Sequence, residues 1–309
     1  MLKTAIITGA CSGMGLALTH DLLSKQSAAG HTWRVILADI NASAYSTIAH
    51  TLDASRHLFL QTDVTKWADQ VEVFKRAFEW SGRIDFFANN AGIDDKERLL
   101  DDGDLVEPNL SCIAVDLLAV FSGLKLFIRY ARKTKAENFQ PKMVITASMA
   151  GQYPFFIMPQ YTAAKHGCVG LVRAAAPALL RHEGIALNCI MPGFVDTGII
   201  LPQIVECWPK ENITPMATIL RAFNELIEED GKVEADGSSD GINGVVKSGC
   251  TVECSVHRLY YRERVAFADE KMEWVAAQSK EEGILGMALK AMYAKHKEEA
   301  ESSCAELKV

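Results

Sequence analysis

A tyrosine and a lysine stand four residues apart at the start of a helical pattern, in the run Tyr161-Thr-Ala-Ala-Lys165. Residues at i and i+4 share one face of a helix, so the phenol and the ammonium point to the same side. A nearby cation stabilises a phenolate, which makes Tyr161 a candidate acid or base near neutral pH. Ser148 follows a predicted buried strand, and its hydroxyl could hold a substrate oxygen beside Tyr161.

A glycine-rich turn, Thr8 to Gly15 (TGACSGMG), lies between a predicted strand and a predicted helix. Glycines there permit a tight turn and let the backbone approach a pyrophosphate, which the free N–H groups of the helix would bind. Asp39 ends the next predicted strand, where a carboxylate can accept hydrogen bonds from an adenosine ribose. It would repel a 2′-phosphate, and no Arg or Lys stands at 10–12 or 40–42 to offset that repulsion. The sequence therefore favours NAD over NADP, the alternative being an aspartate that only caps the following helix.

Apolar runs alternate with helical patterns along the chain, which is typical of buried parallel strands joined by helices. The predicted helices include 107–134 and 160–182, and residues 270–300 are predicted as a C-terminal helix. Right-handed crossovers between such strands give an α/β fold with a doubly wound parallel sheet of about seven strands and helices on both faces. The runs predicted as strands are Lys3–Thr8, Arg34–Asp39, 57–62, 84–88, 143–147, 185–191 and 249–257.

Composition limits the partners and the compartment. The 309 residues carry a net charge of −7, and an acidic surface disfavours nucleic acid as a partner. No apolar run is expected to reach the roughly 18 residues of a membrane-spanning helix, so no membrane span is predicted. The eight cysteines are scattered, which is typical of reduced thiols in a cytoplasmic protein, and no metal site is predicted.

Taken together, these residues resemble the short-chain dehydrogenase/reductase family over roughly residues 1–262. The resemblance implies a Rossmann-type fold, with Ser148 standing thirteen residues before Tyr161 as is usual in the family. The runs 161–176 and 187–199 most resemble the NAD-dependent hydroxyprostaglandin dehydrogenase branch and its fungal biosynthetic relatives. The matching motifs are TGACSGMG at 8–15, Asp39, Asp63-Val64, Asn89-Asn90-Ala91-Gly92, Ser148, Tyr161-x-x-x-Lys165, and Pro192-Gly193 with Thr197.

The resemblance implies a role for each matched residue. Tyr161 would exchange a proton with the substrate oxygen, Ser148 would polarise that oxygen, and Lys165 would bind the nicotinamide ribose and assist Tyr161. The cofactor residues so implied are Gly9, Ser12, Gly13, Met14 and Gly15 at the pyrophosphate, Asp39 at the adenosine ribose, Asp63 and Val64 at the adenine, Asn90, Ala91 and Gly92 at the next strand end, Tyr161 and Lys165 at the nicotinamide ribose, and Pro192, Gly193, Val195 and Thr197 at the carboxamide.

Asp116 departs from the family pattern, because an asparagine usually stands at this place and positions a proton-relaying water. An aspartate accepts similar hydrogen bonds but adds a negative charge near Lys165, which strengthens the ammonium and offsets part of its effect on Tyr161. Asp116 is therefore grouped with Ser148, Tyr161 and Lys165 as a candidate catalytic residue. Three consequences stay open: a tolerated replacement, a slower enzyme, or a fold put to non-redox work.

The chain also continues for almost 50 residues beyond Tyr261, where relatives generally end. Residues 1–262 are predicted as the dehydrogenase domain and 263–309 as a helical extension that packs on its own subunit or on a partner protomer. The family resemblance implies a homodimer or homotetramer.

A segment at about 198–230 is predicted to cover the substrate, together with the loop after Ser148. Both are rich in apolar side chains, which suits a bulky lipophilic alcohol or ketone of secondary metabolism, although half of these residues could be ordinary helix core. The candidate substrate residues are Met149, Tyr153, Phe155, Met158, Ile200 and Trp208.

Three functions fit these residues. The first is an NAD(H)-dependent oxidoreductase that interconverts a secondary alcohol and a ketone by hydride transfer, with Tyr161 as acid or base. The second is a non-redox biosynthetic enzyme, an isomerase, cyclase or dehydratase, on the same fold. The third is an interaction protein that retains a nucleotide for stability.

Overall fold

A computed structural model describes residues 2–24, 32–100, 107–134 and 139–306. Eight strands form one sheet in the order β3-β2-β1-β4-β5-β6-β7-β8. Seven strands run parallel and β8 pairs antiparallel with β7, so the α/β doubly wound fold predicted from the sequence is confirmed. The strands are β1 (Leu2–Thr8), β2 (Thr32–Asp39), β3 (His57–Gln61), β4 (Phe86–Asn89), β5 (Lys142–Thr146), β6 (Ala186–Pro192), β7 (Thr251–Ser255) and β8 (Arg258–Tyr261).

The central strands are buried on both faces, which is why their sequences read as continuous apolar runs. Phe86 and Phe87, neighbours on β4, point to opposite faces and belong to two different core clusters. The helices are α1 (Gly13–Ser24), α2 (Ala42–Ile48), α3 (Trp67–Ser81), α4 (Ser111–Ile113), α5 (Ala119–Ala131), α6 (Pro159–Glu183), α7 (Pro202–Cys207), α8 (Met216–Ile227), α9 (Glu270–Ala277) and α10 (Ile284–Glu306).

The strand predicted at 249–257 is present as β7, Thr251–Ser255, but it is shorter than predicted and turns back into an additional strand, β8, which the sequence did not predict. Val256 in the turn has a φ of 49°, a left-handed conformation that a β-branched residue rarely adopts. Long-range contacts hold it there, because Thr214 Oγ1 accepts from its N–H at 3.1 Å and Thr218 Oγ1 donates to its carbonyl at 2.7 Å. The turn depends on residues some forty positions away, and no local signal marks it.

The C-terminal part of the chain forms a second compact unit, 264–309, after a first unit of residues 1–263. The single helix predicted over 270–300 is two helices, α9 and α10. The N–H of Leu285 donates to the carbonyl of Gln278 at 3.0 Å, which closes the connection between them. Asp269 begins α9 by accepting from the N–H of Met272 at 2.8 Å.

Residues 111–131 form one helical stretch that is long and apolar enough to cross a membrane, contrary to the expectation that no run would qualify. This is weak evidence of a span, because the buried core helix of a globular protein passes the same test. Phe127 and Val120 of this stretch belong to the core cluster between the sheet and its helices.

Candidate active site

Lys165 lies buried on the first turns of α6, facing the carboxyl ends of β4 and β5. Its Nζ donates to the carbonyl of Thr146, the last residue of β5, at 2.9 Å. The same Nζ lies 3.0 Å from Asp116 Oδ2 and 5.3 Å from the centroid of the Tyr161 ring. The structure therefore brings together the tyrosine, the lysine and the aspartate that the sequence selected.

Asp116 sits in a π-helical turn, Ala114–Leu118, between α4 and α5, and is fully buried. Its Oδ1 accepts from the N–H of Ile93 at 2.8 Å, while its backbone carbonyl accepts from Cys168 Sγ at 3.1 Å. The π-helical turn inserts one extra residue into the helix, a distortion often found at functional sites. The Asp116 carboxylate thus binds both the loop after β4, through the amide of Ile93, and the ammonium of Lys165 on α6.

Burial opposes a charge on both members of this pair. It raises the pKa of Asp116 above its usual range, an effect that the Lys165 charge reduces. Burial also lowers the pKa of Lys165, but the Asp116 carboxylate and the Tyr161 phenol outweigh it, and the net direction is upward. Lys165 is therefore an ammonium at neutral pH.

Ser148 follows β5 in an extended conformation and begins a short 3-10 turn, Met149–Gly151. Its Oγ accepts from the N–H of Ala150 at 3.1 Å, and the side chain is buried. This bond leaves the hydroxyl hydrogen free to point elsewhere. Tyr161 is half-buried, and within the described residues no hydrogen bond joins it to Ser148. Both side chains belong to the edge where open α/β sheets bind their ligands.

The glycine-rich turn follows β1 and is packed against the next strand end. Gly9 has a φ of 64°, and a Cβ on Gly15 would lie 2.1 Å from the Gly9 carbonyl oxygen, so both positions require glycine. Thr8 Oγ1 accepts from the N–H groups of Asn90 and Ala91 at 2.9 and 3.0 Å, and Asn90 Nδ2 donates to the Thr8 carbonyl at 3.0 Å. The loops after β1 and β4 are thereby locked together.

The remaining residues predicted at the pyrophosphate lie at the start of α1. Ser12 is exposed and its carbonyl accepts from the N–H of Leu16, which makes Ser12 the residue before the helix. Gly13 and Met14 are half-buried in the first turn. A Cβ on Gly13 would lie 3.3 Å from Thr197 Cβ, so the loop after β6 closes against the glycine-rich turn.

Asp39 ends β2, and its two carboxylate oxygens are each tied to one backbone amide. Oδ2 accepts from the N–H of Cys11 at 2.8 Å and Oδ1 from that of Asn41 at 2.9 Å. Asn41 caps α2 by accepting from the N–H of Ala44, so Asp39 is not the cap of this helix. Each oxygen keeps a lone pair that a ribose hydroxyl could use.

The residues predicted at the adenine lie in the loop after β3. Asp63 Oδ1 accepts from the N–H and the Oγ1 of Thr65 at 3.0 and 2.6 Å, and these bonds lower the pKa of Asp63. The carbonyl of Val64 accepts from Gln70 Nε2 at 2.6 Å. Gly92 lies further along the sheet edge, where a Cβ would come within 2.9 Å of Asp116 Oδ2.

The loop after β6 begins at Pro192, the last residue of that strand. The N–H of Gly193 donates to the carbonyl of Cys254 on β7 at 2.9 Å, and Val195 is buried in the core. Phe194 was not selected from the sequence, yet its ring stacks on Trp208 with the centroids 4.0 Å apart. The sequence signal that could have identified Phe194 is an aromatic residue directly after Pro192-Gly193.

The other residues predicted at the substrate lie on the loop after Ser148 and on the segment after Thr197. Tyr153 is bound at its hydroxyl, which donates to Glu253 Oε2 at 3.1 Å and accepts from Arg262 at 3.2 Å. The other four side chains are half-buried: Met149, Phe155, Met158 and Ile200.

Replacing Asp116 by alanine leaves the buried ammonium of Lys165 without its counter-charge. We expect the free energy of unfolding at pH 7 to fall by about 3–5 kcal/mol, measured by urea denaturation. Because the folded-state pKa of Lys165 is raised, the contribution of its charge to stability is fully present at neutral pH and is lost as the pH rises through that value.

The matched control is Glu183→Ala, which removes the ion pair of Glu183 with Arg132. That pair joins the ends of the same two helical segments, but the Arg132 side chain is 63% exposed, so the loss should stay under about 1 kcal/mol. If the two variants lose the same free energy of unfolding, the buried pair contributes no more to stability than an exposed one, which would contradict this account.

The comparisons with known proteins agree on one family. The family model for short chain dehydrogenases matches residues 3–203. The chain is 30% identical over 277 residues to the short-chain dehydrogenase/reductase prx6 of Penicillium rubens, covering 84% of this chain and 85% of that protein. It is 33% identical over 267 residues to the NAD(+) 15-hydroxyprostaglandin dehydrogenase of Mus musculus, covering 78% and 92%.

Solved structures agree on the fold. The chain resembles the 3-ketoacyl-(acyl-carrier-protein) reductase of Brucella melitensis complexed with NADH, with a TM-score of 0.66 and 20% identity, over 83% of this chain and 98% of that one. On its matched model and its relatives, the chain belongs to the short-chain dehydrogenase/reductase family of oxidoreductases.

Proposed function

We propose that this protein is an NAD(H)-dependent oxidoreductase that interconverts a secondary alcohol and a ketone on a bulky lipophilic substrate. The observation that carries the proposal is the position of Tyr161 beside the buried ammonium of Lys165, at the sheet edge that also holds the glycine-rich turn. Open α/β sheets bind their ligands at this edge.

Members of the family use a nicotinamide cofactor, and the residues present fit one. The glycine-rich turn leads into the N-terminus of α1, whose amides suit a pyrophosphate, and the loop after β6 closes against it at Thr197. The carboxylate of Asp39 suits a ribose diol and opposes a 2′-phosphate, which supports NAD rather than NADP. When bound, the nicotinamide supplies or accepts the hydride.

Side chains of this protein then transfer the proton. During alcohol oxidation the hydroxyl proton passes to the Tyr161 phenolate as the hydride leaves the carbinol carbon, and ketone reduction reverses both transfers. Lys165 stabilises the phenolate electrostatically, since its ammonium lies over the tyrosine ring. The Ser148 hydroxyl donates to the substrate oxygen and polarises it.

The proposed lipophilic substrate is supported by exposed apolar side chains on the two segments that follow β5 and β6. Phe156 and Ile157 on the loop after Ser148 are 92% and 82% exposed, and Leu201 on the segment after Thr197 is 63% exposed. Such exposed apolar groups are typical of a surface that covers an apolar ligand. The 15-hydroxyprostaglandin dehydrogenase relative is named for a lipid alcohol, which points the same way.

Cofactor choice can be tested at Asp39. We expect the wild-type protein to bind NADH at least about tenfold more tightly than NADPH, because the carboxylate repels the added phosphate. Asp39→Asn removes the charge but keeps an acceptor for one backbone amide, and it should bring the two dissociation constants within about threefold. Fluorescence titration measures both constants. An unchanged preference for NADH in Asp39→Asn would contradict the role given to Asp39.

The reaction itself can be tested with NADH deuterated at the pro-S position of C4 and a panel of lipophilic ketones. We expect one deuterium to appear in an alcohol product by mass spectrometry. Tyr161→Phe should lower this turnover by about 10²–10⁴-fold while NADH still binds, because the variant lacks only the phenolic hydroxyl that carries the proton. A product that forms without deuterium would contradict hydride transfer and favour a non-redox reaction, and full activity in Tyr161→Phe would exclude the tyrosine as the acid.

A further inference from the structure

The helix that carries Tyr161 has no local side-chain cap. Helix α6 follows Met158, whose side chain makes no capping bond, and its first residue is Pro159, which has no N–H to offer. The next two amides, those of Gln160 and Tyr161, still need acceptors, because the first turn of a helix has no carbonyls to pair with.

Asp95 supplies both acceptors from a distant part of the chain. Its Oδ1 accepts from the N–H of Tyr161 at 2.7 Å, and its Oδ2 accepts from the N–H of Gln160 at 3.1 Å. Asp95 stands 66 residues before Tyr161, in the loop that follows β4. A carboxylate at this end of a helix is also favoured by the helix dipole.

The segment that carries Asp95 is itself fixed to the ion pair. The N–H of Ile93 donates to Asp116 Oδ1 at 2.8 Å, and its carbonyl accepts from Cys112 Sγ at 3.4 Å. Burial raises the pKa of Cys112 to about 12, so this side chain is a neutral thiol donor. Two carboxylates therefore hold one short loop, Asp116 at Ile93 and Asp95 at the start of α6.

We propose that Asp95 is a positioning residue for the reaction: it caps α6 from the loop after β4 and so sets the place of the Tyr161 phenol relative to the cofactor-supporting residues 90–92. This rests on the function proposed above. Asp95 acts through the backbone of Tyr161 and touches neither reacting group. A small displacement of an acid–base group lowers the rate of the chemical step more than it lowers binding.

The test compares Asp95→Ala, Asp95→Asn and Asp94→Asn in the full-length chain. Asp94 is the matched control, since it carries the same charge one position away and pairs with Lys96 at the surface. We expect kcat of Asp95→Ala to fall by about tenfold, equivalent to about 1.4 kcal/mol, with KM for the ketone and Kd for NADH within about twofold. Asp95→Asn, which keeps one acceptor oxygen, should recover part of kcat, and Asp94→Asn should match the wild type.

Hydrogen–deuterium exchange of the amides of Gln160 and Tyr161 provides a readout that needs no turnover. We expect faster exchange there in Asp95→Ala than in Asp94→Asn, with the rest of α6 unchanged. An unchanged kcat, or unchanged exchange at these amides, would overturn the inference. A loss of kcat matched by an equal loss of NADH binding and of global protection would also overturn it, because Asp95 would then only support folding.

The two proposals fail in distinguishable ways. If the wild-type protein transfers no deuterium to any ketone, the proposed function fails, while faster exchange at Gln160 and Tyr161 in Asp95→Ala still shows that Asp95 places the start of α6. If the wild type turns over normally and Asp95→Ala does as well, the proposed function stands and the inference about Asp95 fails.

Discussion

The buried ion pair of Asp116 and Lys165 is the interaction on which the candidate site depends. Removing two charges from water is costly, and the pair is stable only because each partner is held by further hydrogen bonds. Lys165 is bound to the carbonyl of Thr146 at the end of β5, and Asp116 is bound to the amide of Ile93 after β4. The pair therefore joins two strand ends to α6 and keeps an ammonium over the ring of Tyr161.

The same sheet edge explains why distant residues meet. The carboxyl ends of parallel strands lie side by side, so the loops after β1, β2, β4, β5 and β6 converge although they are far apart in sequence. Contacts between loops then fix their spacing, as when Asn90 bonds to both Thr8 and Thr146. A redox site needs its hydride carrier and its acid–base group at one fixed separation, and this edge provides such a frame.

Much of the fold and of the candidate site could be predicted from local patterns. Short apolar runs gave the parallel strands, and the spacing of Tyr161 and Lys165 placed both on one helix face. Features set by long-range contacts escaped prediction. The turn at Val256 depends on Thr214 and Thr218, and the cap of α6 depends on Asp95, whose own neighbours in sequence give no sign of it. The family position of Asp116 was visible in the sequence, but its full burial against Lys165 was not.

The protonation state of Lys165 tests the account most directly. With lysine labelled by ¹³C at Cε, the Lys165 signal, assigned through its loss in Lys165→Arg, can be followed by NMR as the pH rises. The structure predicts that Lys165 remains an ammonium beyond the ordinary lysine pKa of 10.5, because the Asp116 charge outweighs burial. Loss of the proton well below that value, near neutral pH, would mean that burial prevails and would contradict the ionised pair.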